Sequence, residues 1–304
     1  MAWSCGYDFG SQRYPRGRLR AARDSDENGP RIAHRGACDF PKEPLVDSLD
    51  RSLEEAIATV QSWIDASDRV VVLTGAGIST DSGIPDFRGP KGVWTRNPAA
   101  EKLATYDHYV GDPEVRKLAW QSRLELANQL GGPHEGHRAV VELERRGKLH
   151  LLITQNIDGL HIDAGSTPER MVEIHGTFRE VACLACAERG PISEVLDRIR
   201  AGEADPACRS CGGILKAATI SFGQDLVPED LERSERAAQQ CDLMLAVGST
   251  LSVFPIANVV PLAKAAGARV VILNERSTEM DSLANAVVRG SISDILPRLV
   301  EPLD

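Results

Sequence analysis

Four cysteines in two pairs carry the clearest chemistry in this chain. They are Cys183 and Cys186, then Cys208 and Cys211, with 21 residues between the pairs. Two thiolates two residues apart grip one side of a metal ion from a single tight turn. A second such turn completes a tetrahedron of soft sulfur ligands, a set that suits Zn2+. Four sulfurs fill every coordination position, so such an ion holds structure and leaves no place for a reactive water. The catalytic chemistry must come from elsewhere.

Candidates for it stand at the ends of apolar runs. Arg69 to Thr74 reads as a buried strand, and Gly75-Ala76-Gly77-Ile78-Ser79-Thr80 turns the chain straight after it. Small residues there let backbone amides approach a pyrophosphate without interference from Cβ. Thr80 occupies the place of the third glycine in the G-x-G-x-x-G fingerprint, so the motif alone is weak. Gly83, Pro85, Gly89 and Pro90 forbid a regular helix beyond it. The stretch reads either as an ordinary surface loop or as a mobile one carrying Asp86, Phe87 and Arg88 over a cofactor.

Four more strand ends repeat the pattern. Gln155-Asn156-Ile157-Asp158 follows the second strand. Asn156 offers an amide there, and Asp158 either accepts from a ligand or caps the next helix. His161, just beyond, reads as a structural histidine. Glu173-Ile174-His175-Gly176 ends a third strand, and His175 is the histidine best placed to take a proton near neutral pH. Gly248-Ser249-Thr250 and Asn274-Glu275 close two further strands with groups suited to phosphate and ribose. Small or polar residues recurring at five strand ends mark a ligand crevice.

The elements that must position these residues follow from apolar spacing. Leu53, Ala56, Ile57, Val60 and Ile64 recur with helical period, and Val140, Val141 and Leu143 belong to a helix ending at Gly147. Strands are expected at Leu149–Thr154, Thr219–Phe222, Leu243–Val247 and Arg269–Leu273. Helices are expected from Pro228 and over Pro255–Ala266. The alternation predicts an α/β fold, a Rossmann-type doubly wound parallel sheet with a small inserted zinc-binding domain. Residues 46–176 and 217–304 would form the large domain. Residues 177–216 would form a zinc-ribbon-like module, with part of 80–135 as the other segment open to it.

Bulk properties narrow the class. The chain has 304 residues, 42% apolar and 26% charged, as expected of a globular protein. No apolar run approaches the span of a bilayer. A net charge of −9 argues against nucleic acid as the main partner. Cys5, Cys38 and Cys241 have no matching partners, which fits a reducing compartment rather than a disulfide framework. Cys241 reads as a buried, inert thiol. Residues 1–45 mix arginine with glycine, proline and acids, a composition expected of a disordered extension. A basic interaction arm, a transit-like segment and an over-extended start are the other readings.

Taken together, GAGIST with SGIPDFRG, TQNIDGLH, the His-Gly pair, the paired cysteines, GST and the late Asn-Glu resemble the sirtuins, NAD-dependent protein lysine deacylases. The likeness covers roughly residues 50–300 in order. It implies that NAD, consumed as cosubstrate, and an acyl-lysine peptide meet in a cleft between a large Rossmann-type domain and a small zinc domain. By the same resemblance Gly75, Ala76 and Gly77 lie at the pyrophosphate, and Phe87 and Arg88 lie around the nicotinamide ribose. Gln155, Asn156 and Asp158 form the nicotinamide pocket, with Asn156 also counted as catalytic. His175 is the base, Gly248, Ser249 and Asn274 hold the adenosine side, and Ile292 packs near adenine. Thr80, Asp86, Ile157, Thr250 and Glu275 complete the expected cofactor contacts.

The implied reaction is acyl transfer to ADP-ribose. The acyl oxygen attacks the anomeric carbon as nicotinamide leaves, and His175 frees a ribose hydroxyl to attack in turn. Mono-ADP-ribosyl transfer or NAD hydrolysis from the same site, and a catalytically idle NAD-sensing protein, are the alternatives. Two departures stand out. Phe222-Gly223-Gln224 replaces the usual Phe-Gly-Glu, and Trp120-x-x-Arg123 replaces the Tyr-x-x-Arg of members favouring acidic acyl groups. Gly89 to Thr95 looks more like a branch with weak deacetylase and ADP-ribosyl transfer activity. The expected partners are acyl-lysine proteins, with no direct nucleic acid and no membrane, in the cytoplasm. The oligomeric state stays open.

Overall fold

A computed structural model describes residues 53–86, 89, 92–129 and 131–303. The expected extension over 1–45, and Phe87 and Arg88, lie outside the described residues. Strands β1 (Val70–Thr74), β2 (Leu149–Thr154) and β3 (Met171–Glu173) are followed by three strands of a smaller sheet. These are β4 (Gly176–Cys183), β5 (Arg189–Pro191) and β6 (Leu215–Thr219). Strands β7 (Leu243–Val247), β8 (Arg269–Leu273) and β9 (Ala286–Val288) then complete the main sheet. Its order is β3-β2-β1-β7-β8-β9, parallel at every pairing. Parallel strands are covered on both faces, which is why Val70-Val-Val-Leu-Thr74 and Leu243-Met-Leu-Ala-Val247 are buried at every residue.

Helices fill both faces. Helix α1 (Leu53–Ala66) precedes β1, and α2 (Val93–Arg96), α3 (Tyr106–Gly111) and α4 (Pro113–Gln129) follow the glycine loop. Helices α5 (Glu135–Arg145) and α6 (Leu160–Ala164) flank β2, and α7 (Ile192–Arg200) belongs to the smaller sheet. Helices α8 (Pro228–Gln240), α9 (Val259–Ala265) and α10 (Ile292–Val300) complete the chain. One apolar layer joins α1, α5 and α10 to one side of the main sheet, through Ile57, Val140, Leu143 and Leu296. A second joins α8 and α9 to the other side, through Ala238, Val259 and Ala263. Ala56, Ile57, Val60 and Ile64 of α1 are buried as their spacing predicts, whereas Leu53 in its first turn is 41% exposed.

The smaller sheet differs from expectation in one strand. The spacing suggested a strand over Thr219–Phe222, but the strand is Leu215–Thr219 and pairs antiparallel with β4, outside the parallel sheet. The buried Lys216 breaks the apolar run and hides the true start. Phe222 extends instead beside the segment before α3: its N–H donates to Ala104 O (2.9 Å), and its carbonyl accepts from Tyr106 N (2.9 Å). Trp120 and Leu124 of α4 pack with Phe178, Val181, Val195, Leu196 and Leu215 into a third apolar core. None of the described helices is long and apolar enough to cross a membrane.

Candidate active site

Between β1 and β7 the strand order reverses, because the chain steps outward through β2 and β3 and then returns to start again at β7. At such a point two loops leave the carboxyl ends of adjacent strands in opposite directions and open a crevice. Here those loops touch backbone to backbone. Gly75 N donates to Val247 O (3.0 Å), and Gly77 N donates to Gly248 O (2.8 Å). A Cβ on Gly77 would lie 2.7 Å from Gly248 Cα and 2.8 Å from its oxygen, so no larger residue fits without moving one loop. The chain after Gly75 coils into a tight turn over Ala76–Ser82, ended by Gly83 with φ 84°.

The crevice widens into a cleft of about 1090 Å³. Among the described residues, every cleft candidate named from the sequence lines it, His175 and Ile292 included. A network ties its floor together. Ser79 Oγ donates to Asp158 Oδ2 (2.7 Å) and accepts from Asn156 Nδ2 (3.0 Å), which also donates to Gly75 O (3.2 Å). The Asn156 amide donors are therefore spent on the glycine loop. Of the two roles open to Asp158 the structure shows the helix-start one, since its Oδ1 accepts from Leu160 N (2.9 Å) at the start of α6. Burial pushes the Asp158 carboxyl above its usual range, against these hydrogen bonds. Gln155 Nε2 donates to Ser249 Oγ (2.9 Å), joining the ends of β2 and β7.

The His175 ring is held in one tautomer. Its Nδ1 lies 3.0 Å from Gln155 O, and a carbonyl can only accept, so Nδ1 carries the proton. That leaves the Nε2 lone pair available. Burial lowers its pKa, which keeps the ring neutral near pH 7. His161 is a different case: it is 2% exposed, its Nε2 lies 3.0 Å from Thr74 Oγ1, and burial pushes its pKa down to about 3. It serves structure.

The four cysteine sulfurs lie within 4.8 Å of one another, with Cys183 and Cys211 at 3.5 Å and Cys186 and Cys208 at 3.8 Å. Tetrahedral Zn–S bonds near 2.3 Å place sulfurs about 3.8 Å apart, so the donor set and its spacing fit Zn2+. The ion would lock the turns after β4 and before β6. Cys241 lies apart from them, buried, its thiol pushed up to about 12.

Sequence reasoning missed two cleft residues. Ser79 holds Asn156 and Asp158 together, and its hydroxyl inside the glycine turn was a usable signal. Arg276 faces Asp86 across the cleft at 4.0 Å, a pairing between distant segments with no local signature.

A parallel sheet with a ligand crevice at its switch point, a neutral histidine in that crevice and a four-cysteine module define a nucleotide-using enzyme class. A model of the Sir2 family matches residues 75–255. An NAD-dependent protein deacetylase 2 of Streptomyces coelicolor is 47% identical over 77% of this chain and 97% of its own length. An NAD-dependent protein deacetylase 1 of Geobacillus kaustophilus is 43% identical over 81% and 98%. Among solved structures, a Sir2 enzyme superposes with a TM-score of 0.74 at 36% identity, covering 81% of this chain and 97% of the other. Another, in complex with deacetylated p53 peptide and 3'-O-acetyl ADP-ribose, gives 0.73 at 28% identity, covering 80% and 96%. The chain belongs to the Sir2 family.

Proposed function

We propose that this protein is an NAD-dependent protein lysine deacylase that transfers the acyl group of an acyl-lysine to ADP-ribose and releases nicotinamide. The observation that carries the reading is His175, with Nδ1 fixed by Gln155 O, in the same cleft as the glycine loop. NAD supplies the activated anomeric carbon that accepts the acyl oxygen. The chain's residues then divide the work. Gly75–Gly77 and Gly248–Ser249 hold the phosphates and adenosine ribose against the switch point, with Ile292 beside the adenine. Asn156, Ser79 and Asp158 keep the loop shaped around the nicotinamide end. His175 Nε2 takes the proton of a ribose hydroxyl, which general-base catalysis requires to be within direct or one-water reach. Acyl-lysine proteins in the cytoplasm are the proposed partners, and a reducing compartment suits four zinc-bound thiolates.

Mass spectrometry of acetyl-, propionyl-, succinyl- and long-chain acyl-lysine peptides incubated with NAD tests the reading. Free lysine with the matching O-acyl-ADP-ribose supports it. Nicotinamide release without acyl loss would replace it with ADP-ribosyl transfer or NAD hydrolysis, and no NAD consumption would leave an idle binding protein. Gly77→Ala is expected to weaken NAD binding by about tenfold or more, because overpacking pushes the two loops apart. Titration with NAD reads this directly, and wild-type affinity would remove the loop from the nucleotide site.

Acyl preference is proposed to depend on Arg123. It lines the cleft and, among the described residues, makes no ion pair or hydrogen bond. Beside the cleft, Arg123 also lines a separate small recess with Trp120 and Lys216, whose pKa burial pushes down to about 8 and whose ammonium is held by the carbonyls of Ala217 and Thr219. A cation at the cleft wall with no acid paired to it favours an acyl chain ending in a carboxylate. Arg123→Ala is expected to lower kcat/KM on a succinyl-lysine peptide by about ten- to a hundredfold, with acetyl-lysine little changed. Equal losses on both peptides would assign Arg123 to folding or to common binding.

A further inference from the structure

Behind the glycine loop lies a stack of three histidines. His134, at the N-cap of α5, packs edge-on against His137 with ring centroids 4.5 Å apart. His137 packs in the same way against His161 at 4.9 Å. The outer two each bond to the loop or to the strand end before it. His161 holds Thr74, the last residue before Gly75, and the His134 Nε2 meets Ile78 O inside the turn. The His134 tautomer follows from its other nitrogen: Nδ1 accepts from Gly136 N (2.9 Å), so Nε2 carries the proton and donates to Ile78 O. Gly136 makes room for the ring, since a Cβ there would lie 2.7 Å from His134 Cε1.

The middle of the stack argues that stability alone does not explain it. His137 is fully buried, yet its Nε2 has no hydrogen-bond partner among the described residues, and neither does Nδ1 of His161. Orphaned polar atoms in an apolar layer cost stability that a phenyl ring would not. Burial also pushes His137 down to about 2, so His137 and His161 are neutral at any working pH.

A trans peptide carries its C=O and N–H on opposite edges. Holding Ile78 O therefore fixes the direction of the Ser79 N–H and the setting of Ser79, whose hydroxyl joins Asn156 to Asp158. We propose that His134 is a positioning residue for the nucleotide loop, setting the Ile78–Ser79 peptide from behind and thereby the affinity for NAD. The inference rests on the loop being the NAD site, as proposed above.

Two substitutions separate this role from helix capping. Serine is a good N-cap but too short to reach Ile78 O, so His134→Ser keeps the cap and loses the loop bond. Glutamine places an amide donor near the imidazole Nε2 position, so His134→Gln keeps the loop bond and loses the cap. His134→Ser is expected to retain the wild-type melting temperature and raise the NAD Kd and KM about three- to tenfold, with peptide KM unchanged. His134→Gln is expected to melt lower while binding NAD as wild type does. The inference is overturned if His134→Ser binds NAD with wild-type affinity, or if NAD affinity follows melting temperature in both variants. Should His134→Gln fail to fold, the serine variant decides alone. Direct NAD titration needs no turnover, so a protein that binds NAD but deacylates nothing still tests this inference separately.

Discussion

Cys183→Ala is expected to release the zinc and unfold the segment from Gly176 to Thr219. Cys183 ends β4, is 3% exposed, and its sulfur accepts from Ala185 N (3.4 Å), so the first turn of the site is built around it. Three remaining thiolates cannot close a tetrahedron, and a structural zinc contributes about 10–16 kcal/mol of apparent folding free energy in small domains. The damage should reach the active site. Gly176 begins β4 directly after His175, and Ile220 N donates to His175 O (2.7 Å) just beyond the end of β6. Zinc content, limited proteolysis and turnover should therefore fall together. A variant that keeps stoichiometric zinc and a protease-resistant 176–219 segment would refute the four-cysteine assignment. Chelation of the wild-type protein should reproduce the same proteolysis pattern.

His175→Ala is expected to leave the fold and NAD binding intact and lower deacylation by about 10²- to 10⁴-fold, the usual contribution of a positioned base. A base must act through its neutral ring. Activity should therefore be full above the His175 pKa and decline as acid protonates Nε2, with the midpoint below the ordinary 6.5 because burial disfavours the charged ring. Deacylation rates across pH, set beside NAD affinity, check both parts. Retained turnover in the alanine variant would take His175 out of the base role, and an acid limb centred above 6.5 would contradict the buried, neutral ring.

Much of this site was legible because it is written in contiguous residues. Gly75-Ala76-Gly77 announces a tight turn, and the two Cys-x-x-Cys pairs announce a metal site. The unbroken apolar runs of β1, β7 and β8 announce parallel strands covered on both faces. Each signal depends only on side-chain types at fixed short spacing, which local geometry converts directly into structure. The strand expected at Thr219–Phe222 shows the limit of that method. Lys216 reads as surface by type, yet it is 4% exposed within β6, and only the antiparallel partner β4 explains why that segment is extended.

What the amino-acid order determined by itself was the set of chemical groups, the alternation of strand and helix, and the four-sulfur ligand set. Which groups meet was decided by tertiary structure. Gln155 reaches Ser249, Gly77 abuts Gly248, Asp86 faces Arg276, and His134 reaches Ile78, each across dozens of residues or more. Closing such distances costs chain entropy that no local pattern reveals, and it is recovered only when the sheet order and its two apolar layers fall into place. That is why the histidine stack behind the loop has no signature along the chain, although every residue in it was in plain view.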